Sequence, residues 1–216
     1  MIEENVRELI ESLPEGIHLV AAAKTRSAGE VEASIRGGVS ILGYNYVQEA
    51  DEIKSAITAN VQWHMIGHLQ RNKVKKAVHI FDMIETIDSP RLAGIVDRQC
   101  AEIGKTMPVL IEINSGEESN KSGIAPDEAV DLAEKLSRLK NIRLQGLMTM
   151  GPRFGDSESA RPYFKLTREL FDHIRSLHIP DIEMKYLSMG MSNSYKVAIE
   201  EGANIIRIGT KLFGAR

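Results

Sequence analysis

Cysteine is almost missing from this chain: Cys100 is the single one among 216 residues. One thiol excludes an internal disulfide and suits a reducing compartment, so the expected location is the cytoplasm. Cys100 sits in "RLAGIVDRQCAEIG", whose spacing is helical, and it reads as a small buried helix residue. Aromatic residues make up 5% of the chain, the formal net charge is -3 and no long basic block occurs, which argues against a nucleic-acid partner. No apolar run approaches membrane-spanning length, and the acidic, amphipathic start "MIEENVRELIESL" is unlike the basic opening of a signal peptide. Neither a "GxxxxGK" loop nor a dinucleotide glycine fingerprint is present. His64 and His68 are four residues apart but straddle a strand end at Gly67, and no cysteine or acidic cluster accompanies them, so no metal is expected.

What the chain does have is a regular order of elements. Eight short apolar runs alternate with segments of helical period: 17–23, 40–44, 62–67, 80–86, 108–114, 143–149, 183–189 and 204–209. The pattern predicts a single α/β domain over residues 1–216, a (β/α)8 barrel of the TIM type with an extra N-terminal helix. "SAGEVEASIRGG" starts on a serine and ends on Gly37 and Gly38, and "APDEAVDLAEKLSRL" has proline and acid in its first turn, both helix signals. In the segment 157–178, Phe164, Leu166, Leu170, Phe171, Ile174 and Leu177 recur at helical spacing and are expected in the core. The basic stretch "LQRNKVKKAV" reads as a solvated helix face, with a docking patch for other proteins as the less favoured alternative.

Chemistry in such a barrel sits at the carboxyl ends of the strands. The polar or special residues there are Lys24; Asn45; His64, Gly67 and His68; Glu85 and Thr86; Asn114 and Ser115; Met148 to Met150; Gly190 and Ser192; and Arg207, Gly209 and Thr210. In "LSMGMSNSYKVAIEEG", Gly190 permits a sharp turn and Ser192 is placed to cap a helix starting near Asn193. "RIGTKLFG" repeats the arrangement with Gly209 and Thr210. Capping explains either hydroxyl taken alone. Two such loops in succession, after strands seven and eight, point to a bound phosphate on a small molecule. Lys24, at the end of "HLVAAAK", lies across the same mouth. Desolvated by barrel walls, its amine would lose its charge more readily and could attack an aldehyde. Pyridoxal 5'-phosphate (PLP) supplies an aldehyde and a phosphate together, and so would the phosphorylated sugar of an aldolase.

Taken in order, "AAAKT", "GYNYVQE", "WHMIGHLQRNK", "NSGEESNKSGI", "GLMTM", "LSMGMSNSY" and "RIGTKLFG" closely resemble the pyridoxal-phosphate homeostasis protein family, relatives of the N-terminal barrel of alanine racemase. The resemblance spans nearly the whole chain. It implies that Lys24 holds PLP as an aldimine, that Gly190, Met191 and Ser192 form one phosphate loop, and that Gly209 and Thr210 form the other. It further implies Arg207 at the pyridine nitrogen, and Asn45, His64 and Met148 near the ring or the pocket wall. The family's "GENYVQE" usually carries an acid where this chain has Tyr44. A guanidinium at the pyridine nitrogen disfavours its protonation and weakens the ring as an electron sink. The second base of alanine racemase comes from a further β-domain, and the chain ends at Arg216. None of Tyr44, Tyr46, Tyr163, Tyr186 and Tyr195 can be assigned that role, since packing accounts for each. The expectation is therefore a monomeric, non-catalytic PLP carrier that buffers the cofactor and passes it to apo-enzymes. A weak amino-acid racemase and a Schiff-base aldolase are the alternatives.

Overall fold

In the computed structural model, which describes residues 1–116, 122–151 and 156–214, eight parallel strands close into a barrel in chain order. They are β1 (His18–Ala22), β2 (Ile41–Tyr44), β3 (Gln62–Met65), β4 (Met83–Ile87), β5 (Met107–Ile113), β6 (Ile142–Thr149), β7 (Tyr186–Ser188) and β8 (Ile205–Ile208). One helix, α1 (Ile2–Ser12), precedes β1. The others follow their strands in turn: α2 (Ala28–Arg36), α3 (Val47–Lys54), α4 (Val74–Ile80), α5 (Pro90–Glu102), α6 (Ala129–Leu136), α7 (Arg161–Ser176), α8 (Tyr195–Glu200) and α9 (Thr210–Phe213). This is the expected (β/α)8 barrel with an added N-terminal helix. The ring closes where Leu19 and Val20 pair with Ile206 and Arg207. Among the described residues, no helix is long and apolar enough to cross a membrane.

Alternation along the strands builds two cores. Outward-facing Leu19, Ala21, Leu42, Trp63, Val109 and Ile111 pack beneath the helices. Inside the barrel, Val20, Ile41, Ile66 and Ile205 form one cluster and Met83, Leu110 and Met148 another. Burying side chains of this size stabilises by about 1.5–3 kcal/mol each. Cys100 is buried on α5, as its sequence setting predicts. The start of α2 also follows the sequence: Ser27 Oγ accepts from the Glu30 amide, and the Glu30 carboxylate accepts from the Ser27 amide. That reciprocal cap fixes the turn leaving β1, and with it Lys24.

Several boundaries differ from the sequence reading. The run 80–86 begins inside a helix: the Phe81 amide donates to Ala77 O, and the Asp82 carboxylate accepts from the Trp63 amide, so β4 starts at Met83. In α7, Phe164, Phe171 and Ile174 are buried, but Leu166 on its wet side and Leu177 just past its end are 36% and 43% exposed. Helical spacing alone cannot separate the edge of an apolar stripe from its centre. Two bulges matter more. Val109 and Ile111 of β5 pair with Leu144 and Leu147 of β6, so β6 carries one extra residue there. It turns at Gly146, φ +147°, where an added Cβ would stand 1.8 Å from Tyr186 O, a place for glycine alone. β4 carries its extra residue between Ile84 and Ile87. These bulges set which of Glu85, Thr86, Met148 and Thr149 face inward.

Tyr44 is 1% exposed and stacks on Trp63 with ring centroids 5.6 Å apart. Its hydroxyl has no partner among the described residues. Burial, with the Glu49 charge adding, pushes the phenol far above its ordinary range. Tyr44→Phe removes the unsatisfied hydroxyl and keeps the stack, so it should raise stability by about 1 kcal/mol. A denaturant titration in which Tyr44→Phe loses more than that amount would show that the hydroxyl contributes a bond. Tyr46 is not a packing aromatic: it is 61% exposed.

Candidate functional site

The C-terminal ends of β1 and β8 and the loop after β7 enclose a cleft of about 690 Å³ lined by Lys24, Met191, Ser192, Arg207, Gly209 and Thr210, with Arg26, Asn193 and Lys211 at its edge. Six of the ten residues singled out in the sequence therefore meet in one place. Lys24 leaves β1 just before Thr25, whose φ of +62° is a left-handed conformation that β-branched residues rarely hold. Thr25 is pinned there by its amide, 3.4 Å from Glu49 Oε2. Next to it, Arg26 donates to Glu30 and to Gly214 O and lies over the Phe213 ring, tying this turn to the end of the chain's last helix. A strained turn held from two sides gives the Lys24 amine a fixed point of departure.

The opposite wall is made of backbone. Gly190, φ +89°, turns the chain against α8, where a Cβ would stand 2.6 Å from Ala198 Cβ. The helix begins later than the sequence suggests: Ser194, not Ser192, precedes α8, and the Ser194 hydroxyl accepts from the Met191 amide. Ser192 Oγ instead accepts from the Lys211 amide of α9, at 3.3 Å, which ties the two loops together. Among the described residues, no acceptor takes its own hydrogen. Among the described residues, the amides of Ser192, Asn193 and Thr210 take no backbone or side-chain acceptor. Three amides and two hydroxyls facing one cleft form a donor set for an oxyanion such as phosphate.

Below the cleft, Arg207 is 3% exposed and held by a buried polar row. Its Nη1 donates to Ser188 Oγ at 2.5 Å, and its Nη2 to Thr149 O at 2.8 Å, with Met150 Sδ at 3.4 Å. Ser188 passes its hydrogen to Glu85 Oε2 at 2.6 Å, and Glu85 Oε1 lies 2.7 Å from His64 Nδ1. Burial by itself would raise the Glu85 carboxyl, but the His64 hydrogen bond and the His64 and Arg207 charges hold it below the ordinary range. Glu85 is thus the counter-charge of Arg207, 4.0 Å away. Thr149 Oγ1 donates to Ile113 O and accepts from Ser115, which steadies the carbonyl that Arg207 uses. Glu112, 6% exposed, is a second carboxyl near Arg207. One of its oxygens has no partner among the described residues, and burial, reinforced by the Asp88 charge and opposed by Arg207, pushes it up to about 7.

Three residues singled out in the sequence lie elsewhere. Asn45 lines a separate groove with Tyr46, His68 and Lys73, its backbone packed against Gly67. Met148 is fully buried between Met83 and Leu110, because the β6 bulge sends it inward, and Met150 is the methionine that reaches Arg207. His64 points along the barrel interior to Glu85. In the motif "NSGEESNKSGI", residues 117–121 lie outside the described residues. Ser188 and Glu112 are not among the strand-end residues the sequence singles out, and Glu85 and Thr149 are among them without a place in the site. One signal was available: an acid two residues after Met83, on the inward face of an apolar strand, has to find a cation there.

The family model described as alanine racemase, N-terminal domain, matches residues 1–216. The pyridoxal phosphate homeostasis protein of Aquifex aeolicus is 38% identical over 199 residues, covering 92% of this chain and 86% of that protein. The protein of the same name from Pongo abelii is 34% identical, covering 100% of this chain and 84% of its own. The chain belongs to the pyridoxal phosphate homeostasis protein family. Among solved structures, PipY of Synechococcus elongatus without PLP superposes with a TM-score of 0.94 at 32% identity, covering 99% of this chain and 100% of that one. PipY with PLP bound gives 0.91 at 30% identity over the same shares. Alanine racemase of Clostridium difficile shares the fold at 17% identity and a TM-score of 0.80, with this chain covering 56% of its length.

Proposed function

We propose that this chain binds PLP in the cleft between β1 and β8, with Lys24 as its covalent anchor, and takes part in keeping and delivering the cofactor without a catalytic cycle of its own. The observation that carries the reading is the convergence of the Lys24 amine, one buried guanidinium and a set of amides and hydroxyls on a single cleft. The family name and the PLP-bound PipY structure support it. When bound, PLP offers an aldehyde to an amine and a ring that can accept electrons. The Ser192 and Thr210 hydroxyls and the amides around them would take the phosphate, and the turn through Thr25 would present Lys24 from the facing wall. Arg207, fixed by Ser188 and Thr149, would meet the ring nitrogen with a permanent charge and discourage a proton there. Among the described residues lining the cleft, neither a carboxylate nor a tyrosine stands opposite Lys24. A site that presents the Lys24 amine to no facing carboxylate or tyrosine suits holding better than two-base proton exchange. PLP delivery to apo-enzymes of the cytoplasm, by a monomer, completes the proposal.

Ser192→Ala and Thr210→Ala should each weaken PLP retention about 10- to 100-fold, the loss of a charge-assisted hydrogen bond worth roughly 1.5–3 kcal/mol. Equilibrium dialysis against PLP measures it, and unchanged affinity in both variants would remove the phosphate cradle. For the carrier function, loaded protein is mixed with an apo-enzyme, and recovery of that enzyme's activity is followed beside α-proton exchange of amino acids in deuterated water. Delivery without exchange is expected. Sustained exchange by the loaded protein alone would make it a racemase.

A further inference from the structure

The barrel has a second mouth, at the N-terminal ends of the strands, an end that most barrels fill with packed side chains. Here a cavity of about 410 Å³ opens between His18, Ser40, Asn60 and Gln62 and reaches down to Ile41, His64, Met83 and Ile205. The rim residues are exposed and polar, and the floor is buried. Among the described residues of that floor, His64 is the one polar side chain, 2% exposed. The Glu85 carboxylate is held ionised by the charges and hydrogen bonds around it and can only accept, so the hydrogen in its 2.7 Å contact lies on His64 Nδ1. The neutral ring then turns the lone pair of Nε2 to the cavity, and among the described residues nothing donates to it. A buried acceptor without a donor is costly, and its apolar neighbours supply none.

We propose that this N-terminal mouth is a binding site for a small, neutral, polyhydroxylated molecule, one hydroxyl of which donates to His64 Nε2 while its carbon skeleton lies on Ile41, Met83 and Ile205. The chemistry of the lining selects the class. A carboxylate or phosphate would set its own lone pairs against that of Nε2. An ammonium could donate, but the charges near the mouth are already matched. Inside the barrel, Glu85 faces Arg207 at 4.0 Å, and Glu112, at the far end of β5, titrates only near 7. At the rim, Lys185 has the Glu183 charge beside it. Burial first, then the Lys185 and His64 charges, pulls His18 below its ordinary range, which leaves that ring neutral at pH 7. A cation would therefore enter next to Lys185 with no free anion to meet it. A wholly apolar guest would leave Nε2 unpaired. A hydroxyl donates to Nε2 and also accepts, and the Ser40 hydroxyl and the Asn60 and Gln62 amides around the rim do both as well. An apolar floor with a few convergent polar groups, in a cavity of this size, suits a guest of monosaccharide dimensions. No residue of this lining belongs to the upper cleft, so the site does not depend on what fills that cleft.

The test is NMR of the ring nitrogens of the six histidines in the full chain at pH 7, titrated in turn with myo-inositol, glucose and glycerol. In the free protein the His64 proton is expected on Nδ1. At least one polyol should carry the His64 Nε2 signal to a saturating limit, in the direction of an accepted hydrogen bond, with His79, His173 and His178 unmoved. Gln62→Trp fills the mouth from its exposed rim and should abolish that saturation while leaving the His64 Nδ1 signal of the free protein in place. A proton found on Nε2 overturns the acceptor. Shifts that stay linear for all three polyols, or that persist in Gln62→Trp, are solvent effects and overturn the site. Tighter saturation by sodium acetate or methylammonium chloride than by any of the polyols, at constant ionic strength, overturns the neutral class.

Discussion

Glu85→Ala should cost the fold about 3–5 kcal/mol, more than any other polar substitution in the barrel, because it leaves a buried guanidinium without its counter-charge. Arg207 is a cation at every accessible pH, and its side chain and that of Glu85 are 3% and 0% exposed. The same change takes the acceptor from Ser188 and from His64 Nδ1. Glu85→Gln keeps shape and one acceptor and should lose less. Urea unfolding of the three proteins at pH 7 gives the ranking. If Glu85→Ala unfolds at the same midpoint as the parent, the row His64–Glu85–Ser188–Arg207 does not carry the interior electrostatics.

Glu112→Gln is the second large effect, and it depends on pH. The folded carboxyl titrates near 7, above its ordinary value of 4.5. Below about 4.5 the group is neutral folded and unfolded, and it affects stability little. Between there and 7 the unfolded chain releases a proton that the folded chain retains, so stability falls as pH rises and levels off above 7. At about 1.4 kcal/mol per pKa unit, the penalty reaches about 3 kcal/mol at pH 8. Glu112→Gln abolishes it. The variant should match the parent at pH 4 and exceed it by up to that amount at pH 8, in thermal or urea unfolding. A constant difference between the two pH values would mean that the orphaned Glu112 oxygen finds a partner in solution.

The barrel was legible because its signal is repetitive: eight apolar runs, each followed by a helical pattern, leave few other closed arrangements. The cleft was legible for a related reason. Residues just past strand ends gather at one mouth whatever their sequence separation, so Lys24 and the loops after β7 and β8 could be placed together without knowing any contact. The failures share a cause. The inward or outward direction of Met148 and Thr149 depends on the bulge in β6, which appears only when two strands are paired. Ser192 has the composition of a cap, yet the tertiary contact to the Lys211 amide claims it first. His64 lies on a strand counted correctly, but at a depth where the other mouth, not the cleft, is its neighbour.

The central claim is that Lys24 anchors PLP in the upper cleft. The most direct measurement is the visible absorption spectrum of the protein incubated with PLP, before and after borohydride, with Lys24→Ala alongside. The account predicts a visible band in the parent that reduction abolishes, leaving a pyridoxyl mass on the peptide containing Lys24, and no such band or mass in the variant. A parent that stays colourless, or a label that settles on another lysine, would contradict it.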